Sequence, residues 1–190
     1  MALFAVALAA CSSSPAPRYE PADLHAIELR AADAPDGLGY VRRYSGDQAL
    51  DAFARDDQER SVLASDGFEL GSGALFLPAD RVANGDLDVR DPIVQGTVAV
   101  FSRDDGASAS LARYLADLRE RQLQPLPSLD AEPLGDEAYR IDALNGDGAT
   151  VTVIGWRRAN LVLVVMGTSF APSSVVALAR LVDARAASVA

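Results

Sequence analysis

The sequence predicts an α+β fold, with an antiparallel sheet and helices packed on one face. Three observations lead to this class. Apolar segments with strand-like patterns follow one another, short turn sequences join several of them, and a helical apolar pattern follows each of two groups of strands. Strands joined by short turns pair antiparallel, whereas a doubly wound parallel sheet needs strands and helices in regular alternation. The chain has 190 residues, which suits one domain once a leader and a tether are removed.

The N-terminal elements are predicted from short patterns. Residues Tyr40–Tyr44 alternate and predict a strand. Asp47 is a typical N-cap, and Leu50 and Phe53 follow it at helical spacing. We therefore expect a helix from Asp47 to about Ala64.

The first of two strand-then-helix units is predicted over residues 68–122. Phe68–Leu77 is apolar and ends at a proline, and Ile93–Ser102 alternates, so both segments are predicted strands. Leu111, Leu115 and Leu118 then recur at helical spacing and form one apolar stripe. Leu115 and Leu118 should therefore be buried.

The second unit is predicted over residues 137–187. Strands are expected at Glu137–Ala143, Thr150–Arg157 and Leu161–Gly167, and the last of these is almost wholly apolar, which places it centrally in the sheet. A final helix begins at Pro172. The residues expected to be buried in this unit are Val162, Val164, Val175, Leu178, Ala179 and Val182. Because the same order occurs twice, the two units are expected to be related repeats.

Composition excludes several functions. The formal net charge is −10, which disfavours binding to nucleic acid and to anionic lipid headgroups. Hydrophobic residues make up 49% of the chain, enough for a buried core. The single cysteine, Cys11, rules out an intramolecular disulfide, so the domain must be stabilised by packing.

The first residues predict where in the cell the protein is located. Leu8-Ala9-Ala10-Cys11 ends a short apolar run and precedes a segment rich in serine and proline. This pattern resembles the lipobox of bacterial lipoproteins, which implies that Cys11 carries a diacylglyceryl group. We expect a signal peptide at residues 1–10 that is incomplete at its start, a lipidated tether at 11–23, and one domain at 24–190. The predicted location is the cell envelope, with the domain held at a membrane through the acyl chains on Cys11 and facing the periplasm or the exterior.

A resemblance to known families covers roughly the last third of the chain. It rests on Leu134–Ala138, on Val151–Val162 around Trp156, and on the terminal helix ending at Ala179–Arg185. These segments resemble the C-terminal part of secreted bacterial lipoproteins and, more distantly, the extracellular sensor-type domains of actinobacterial receptor kinases. The resemblance implies an extracytoplasmic α+β domain that binds a ligand or a partner. It supplies no active-site residues, and this chain lacks the cysteine pair of those sensor domains.

Catalytic and cofactor chemistry is not predicted. The one histidine, His25, lies near the tether, and Ser72 between two glycines only imitates a nucleophile elbow. With no lysine and no cysteine–histidine cluster, the sequence predicts no phosphate loop, zinc site or other cofactor. Two acidic loops leave calcium open as an alternative to ordinary turns. Their residues are Asn84, Asp86, Asp88 and Asp91 in one, and Asp142, Asn145 and Asp147 in the other.

The predicted function is a noncatalytic, membrane-anchored binding module for an envelope protein or a small ligand. The candidate binding residues lie at one hairpin tip, because tryptophan and arginine are common in binding hot spots. They are Trp156, Arg157, Arg158 and Asn160. The alternative for this tip is a packed tryptophan with arginines paired to aspartate. The alternative function is a cell-envelope hydrolase that uses Asp136 and Glu137 as a carboxylate pair.

Overall fold

The computed structural model describes residues 18–83, 88, 90–120, 124–125 and 133–189. The strands are β1 (Leu38–Tyr40), β2 (Gly46–Gln48), β3 (Phe68–Pro78), β4 (Ile93–Phe101), β5 (Gln124–Pro125), β6 (Glu137–Leu144), β7 (Thr150–Arg158) and β8 (Leu161–Thr168). The α-helices are α1 (Leu24–Ile27), α2 (Leu50–Phe53), α3 (Asp57–Asp66), α4 (Asp104–Glu120) and α5 (Pro172–Val189). Short 3-10 turns occupy Pro21–Asp23, Ala31–Asp33 and Arg42–Tyr44.

All strands join one antiparallel sheet in the order β1-β3-β4-β8-β7-β6-β5, and β2 pairs with β3 beside β1. The predicted α+β class with an antiparallel sheet is confirmed. Strand β8 lies between β4 and β7, as its apolar sequence predicts. Both of its faces are covered, which is why it needs apolar side chains at every position.

Helices cover both faces of the sheet, which corrects the expectation of a single helical face. Leu161 and Leu163 of β8 belong to the core that includes α1 and α5. Val162 and Val164 belong to the core that includes α3 and α4. Because successive side chains of a strand point to opposite faces, the two sets of helices lie on opposite sides. The order of strands followed by a helix does occur twice, but the two long helices occupy different layers.

Helix α4 packs through its predicted stripe, since Leu111, Leu115 and Leu118 are all buried. Its first turn approaches α3 closely. A Cβ at Gly106 would lie 1.8 Å from the carbonyl oxygen of Asp66, so only glycine fits at this contact. Gly106 therefore lets the end of α3 meet the start of α4.

Helix α5 buries a slightly different stripe from the one predicted. Its buried residues are Val175, Val176, Ala179, Val182 and Ala186. Leu178 is only half-buried, against the expectation of full burial. Around the helix axis, Leu178 lies at the edge of the stripe defined by Val175, Ala179 and Val182, so its side chain is only partly covered. The other seven residues expected to be buried are indeed buried, namely Leu115, Leu118, Val162, Val164, Val175, Ala179 and Val182.

The region around Asp47 differs most from the prediction. Asp47 is in β2 and pairs with Ser72, so it does not begin a helix. The predicted continuous helix is replaced by α2 and α3, and Asp56 is the N-cap of α3, where its carboxylate accepts a hydrogen bond from Glu59 N at 2.8 Å. Pairing with β3 takes priority over the local capping signal. The predicted strand at Tyr40–Tyr44 is likewise shorter, because the chain turns at Arg42–Tyr44 after β1.

Tyr19 is part of the core, although the sequence analysis places it in the tether. Its side chain is buried and its hydroxyl donates to Ala186 O at 3.0 Å. The folded domain therefore begins by Tyr19 rather than at residue 24, because this aromatic ring packs under α5. Cys11 and the signal peptide lie outside the described residues. Among the described helices, none combines the length and the apolar character that a bilayer span requires.

Candidate functional site

The predicted binding residues at the β7–β8 hairpin form internal contacts. Trp156 is 0% exposed, and its indole Nε1 donates to Asp183 Oδ1 at 3.1 Å. Arg158 donates to both carboxylate oxygens of the same Asp183, at 3.0 and 2.9 Å. This bond raises the pKa of Arg158 above its ordinary value. One aspartate of α5 thus holds both residues of the hairpin.

Asn160 and Arg157 also face the protein. Asn160 is 0% exposed; its Nδ2 donates to Tyr19 O at 2.9 Å and to Phe101 O at 2.6 Å, and its Oδ1 accepts from Tyr19 N at 2.8 Å. Arg157 Nη1 donates to Ala159 O at 2.9 Å. Trp156 and Asn160 have no surface with which to contact a ligand, so the expected recognition tip does not hold for them. The alternative, a packed tryptophan with an arginine paired to aspartate, describes the hairpin.

Asp183 is the residue that the sequence analysis missed at this hairpin. A signal was available, because Asp183 interrupts the apolar stripe of α5 next to Val182 and one turn from Ala179. A carboxylate on the buried side of a helix needs a hydrogen-bonding partner. The sequence does not say which of the chain's arginines provides it.

The two carboxylates of the hydrolase hypothesis are engaged in local contacts. Asp136 Oδ2 accepts from Ala159 N at 2.6 Å and lies 3.3 Å from Arg157 Nη1. Glu137 accepts a hydrogen bond from the hydroxyl of Tyr139, and this bond raises the pKa of Tyr139. Asp136 therefore closes the hairpin turn, and Glu137 pairs within its own strand.

The second acidic loop is built as a turn. Asp142 is nearly buried and accepts from Arg140 Nε at 2.9 Å and from Thr152 Oγ1 at 2.8 Å. Asn145 Oδ1 accepts the backbone N–H of Asp147 at 3.0 Å, as turn-forming asparagines do. In the other loop, Asn84 and Asp86 lie outside the described residues. Within the described ranges, no three acidic, histidine or cysteine side chains come together as a metal site.

Ser72 and His25 are brought to the same carboxylate. The Ser72 hydroxyl donates to Glu28 Oε2, and His25 Nδ1 lies 3.2 Å from Glu28 Oε1. The other ring nitrogen of His25 lies 3.5 Å from Asp47 of β2. Ser72 is buried at 1% exposure, and Glu28 rather than His25 accepts the hydrogen bond from its hydroxyl, so this arrangement is not a nucleophile with a histidine base. It joins α1 to the edge of the sheet.

The contacts of His25 predict a small pH dependence of stability. The hydrogen bond with Glu28, and then the charge of Asp47, raise the pKa of His25 above its ordinary value. A raised folded-state pKa gives stability that is complete below the unfolded pKa of about 6.5 and is lost as the pH rises through the folded pKa. Because the side chain is 64% exposed, we expect less than about 1 kcal/mol.

Urea unfolding of the chain and of His25→Gln at acidic and alkaline pH measures this contribution. The free energy of unfolding should fall between the two pH values by a larger amount in the parent chain than in the variant. His25 is the only histidine, so no other histidine can replace its titration. An identical fall in both proteins would contradict the prediction.

A concave site lies between α3 and α4, and we call it the α3–α4 cleft. Its volume is about 620 Å³. The floor is the sheet, with Ala99 of β4 and Val162 and Val164 of β8, and Phe53 and Leu63 extend the apolar surface. The wall from α4 presents Ser110, Arg113, Tyr114 and Asp117. Their spacing places them on one face of the helix, beside the buried leucine stripe.

Charged side chains form the rim of the α3–α4 cleft. Arg55 donates to Glu59 Oε2 at 2.9 Å and to Asp117 Oδ2 at 2.8 Å, so it bridges the start of α3 and the body of α4. These two bonds raise the pKa of Arg55 above its ordinary value. Arg113 pairs with Asp66, and partial burial lowers the pKa of Arg113. The cleft therefore combines an apolar floor with a rim whose charges are mutually paired.

This cleft was not predicted from the sequence. The charged run from Arg55 to Arg60 is typical of a solvated helical face, whereas Arg55 and Glu59 lie at the rim of the cleft. The cleft is formed by segments far apart in the chain. Periodicity within each segment carries no information on the space between them.

Two comparisons with known proteins return nothing: no protein-family model matches the chain, and no curated protein matches it. Among solved structures, a match of similar fold is found. The chain is similar to the extracellular domain of PknH from Mycobacterium tuberculosis, with a TM-score of 0.56 and 11% sequence identity. The match covers 92% of this chain and 100% of that domain. At this identity the likeness establishes the fold alone. It agrees with the more distant part of the resemblance, to extracellular sensor-type domains, while the resemblance to lipoproteins stays a prediction.

Proposed function

We propose that this protein is a lipid-anchored, extracytoplasmic and noncatalytic module that binds a small amphipathic ligand in the α3–α4 cleft. The observation that carries the proposal is the cleft itself, in which an apolar floor on the sheet lies beneath a polar rim. Ligand sites are typically concave and mostly apolar, with a few polar groups that orient the ligand. The shared fold with a PknH extracellular domain supports the extracytoplasmic location.

The rim supports binding rather than catalysis. Arg55 is bonded directly to both Glu59 and Asp117, so the three side chains form one ion-pair network. A general acid or base works best with a pKa displaced towards the working pH and with access to the substrate proton. Groups tied in an ion-pair network are better suited to hold the shape of a site.

The anchor is proposed at Cys11, and the fold begins only a few residues later. Eight peptide units separate Cys11 from Tyr19, so the tether spans at most about 28 Å. Because the described domain is acidic overall, acyl chains would provide the attachment that charge cannot. Two chains on one cysteine are sufficient for stable anchoring.

Replacing Cys11 with serine should release the protein from the membrane. The variant and the parent chain are expressed with a complete signal peptide, and cells are fractionated after labelling with a radioactive fatty acid. We expect the parent chain to be labelled and membrane-bound, and the variant to be unlabelled and soluble. Ser12→Ala serves as the matched control and should behave as the parent does. Label retained in the Cys11 variant would refute the anchor.

Filling the α3–α4 cleft should abolish binding of an apolar probe. The test uses N-phenyl-1-naphthylamine, a neutral dye that fluoresces in apolar sites, with the chain carrying Cys11→Ser. Ala116 lines the cleft and Ala112 is an exposed residue on the same helix. We expect Ala116→Trp to weaken dye binding at least about tenfold, about 1.4 kcal/mol, and Ala112→Trp to leave it unchanged. Equal binding by both variants, or none by the parent, would contradict the proposed site.

A further inference from the structure

We propose that the ligand is a neutral glycolipid or alkyl glycoside, a ligand class that rests on the proposed function of the α3–α4 cleft. The sugar would occupy a second depression on the same face of the sheet, which we call the Tyr44 trough. Its volume is about 440 Å³, and it lies over β2, β3 and β4. The residues that line it include Tyr44, Gln48, Gly73, Gln95 and Thr97.

The trough is lined by uncharged residues. Its wall holds glutamine, threonine and tyrosine side chains together with glycine, alanine and leucine, and none of its lining residues is an acid or an arginine. This is unusual surface in a chain whose formal net charge is −10. A cationic headgroup would find no counter-ion among these residues, and the cation beside them is the Arg43 guanidinium, which is stacked on the ring of Tyr44. A neutral polar headgroup needs no counter-ion. The trough therefore favours a neutral headgroup.

The polar groups of the trough are available to a ligand. Within the described ranges, no side-chain hydrogen bond occupies the amides of Gln48 and Gln95. Each amide has N–H donors and a carbonyl acceptor, and the hydroxyls of Thr97 and Tyr44 can each donate or accept a hydrogen bond. Sugar hydroxyls also donate and accept, so they match such a set. A headgroup without hydroxyls, or an ion, would leave some of these donors and acceptors without a hydrogen-bonding partner.

The shape of the trough suits a sugar ring. Gly73 lies between Gly46 of β2 and Thr97 of β4 in the strand register, so bare backbone forms the floor. A Cβ at Gly73 would lie 3.1 Å from Gln48 Nε2 and would crowd the site. Two strand spacings give a width of about 10 Å, which accommodates one pyranose ring. Tyr44 is 58% exposed, and the Arg43 guanidinium lies 4.9 Å from its ring centroid; the ring face away from Arg43 would be the aromatic surface for the C–H face of a sugar.

The trough continues into the α3–α4 cleft. Gln48 and Thr97 line both depressions, so a ligand can extend from one to the other without crossing a helix. The neutral trough then holds the sugar, and the apolar floor at Val162 and Val164 takes the alkyl chain. One amphipathic molecule uses both surfaces. A sugar in the trough joined to an alkyl chain in the cleft is the structure of a glycolipid or an alkyl glycoside.

The experiment titrates the chain carrying Cys11→Ser with methyl glucoside, and with hexyl and octyl glucoside below their critical micelle concentrations. Calorimetry measures affinity, and displacement of N-phenyl-1-naphthylamine reports occupation of the cleft. We expect octyl glucoside to displace the dye, and affinity to rise about fourfold for each methylene that the cleft buries. Octyl sulfate and octyltrimethylammonium, with the same chain and a charged headgroup, should bind at least about tenfold more weakly.

Variants separate the sugar from the chain. Tyr44→Ala and Gln95→Ala should each weaken octyl glucoside about tenfold while dye binding is unchanged, and Leu181→Ala, an exposed apolar residue on α5, should alter neither. If charged and glucoside headgroups bind equally, or if both trough variants bind octyl glucoside normally, the sugar assignment is overturned while the cleft stands. If the parent chain binds neither dye nor glucoside, the proposed function fails as well.

Discussion

Replacing Asn160 with alanine is expected to lower the free energy of unfolding by about 3–5 kcal/mol. The amide of Asn160 makes three buried hydrogen bonds, two to the backbone of Tyr19 and one to Phe101 O. Alanine removes all three and leaves buried donors and acceptors unpaired, at about 1–3 kcal/mol for each such group. The N-terminal segment would then lose its attachment to the β7–β8 hairpin. Urea unfolding measures the loss, and hydrogen exchange at Tyr19 N reports it locally.

Asn145→Ala is the matched control for this change. Asn145 also makes two hydrogen bonds to backbone N–H groups, but it lies half-buried in a surface turn, where water can replace the exposed bond to Asp147. We expect about 1 kcal/mol or less for this variant. A loss in Asn160→Ala no greater than that in Asn145→Ala would show that the N-terminal segment is not held by Asn160.

Replacing Asp183 with alanine is expected to cost about 2–4 kcal/mol. The variant leaves the Arg158 guanidinium and the Trp156 indole N–H without their shared acceptor. Breaking a buried pair by removing one partner is strongly destabilising, because the remaining charge is poorly solvated. The side chains of Arg158 and Asp183 are 25% and 14% exposed, so the value lies below the range for full burial. Thermal and urea unfolding of purified protein provide the measurement.

Two further variants test this explanation. Asp51→Ala removes an aspartate that is 84% exposed and pairs with Arg60, and it should cost no more than about 0.5 kcal/mol. The double variant Arg158→Met with Asp183→Leu removes both charges and should be more stable than Asp183→Ala alone. If it is not, the loss comes from packing under α5 and not from the unpaired guanidinium.

Local patterns account for the parts of the fold that were predicted well. The strands β3, β4, β7 and β8 follow from alternation or unbroken apolar runs, and α4 follows from its leucine stripe. In each case the element buries residues of its own segment, so periodicity alone is informative. The region from Asp47 to Ala64 has weaker patterns, and there pairing with β3 replaced the predicted helix start.

The candidate site was less accessible to sequence reasoning. Trp156 and Arg158 have the composition of a binding surface, but the same residue types also suit a buried hydrogen-bonded cluster. Asp183, which decides between the two, is distant in the chain. The α3–α4 cleft and the Tyr44 trough were not predicted, because each is a space bounded by several elements.

The sequence by itself determined the α+β class, the antiparallel pairing, the central place of β8 and the amphipathic character of α4 and α5. Each of these depends on the order and spacing of apolar residues within one segment. Only the tertiary structure decided that α4 and α5 cover opposite faces, that Tyr19 belongs to the core, and that Asn160 holds it there. These features depend on long-range contacts, in which either face of an apolar strand offers a helix a comparable surface, and the choice follows from how the whole chain packs.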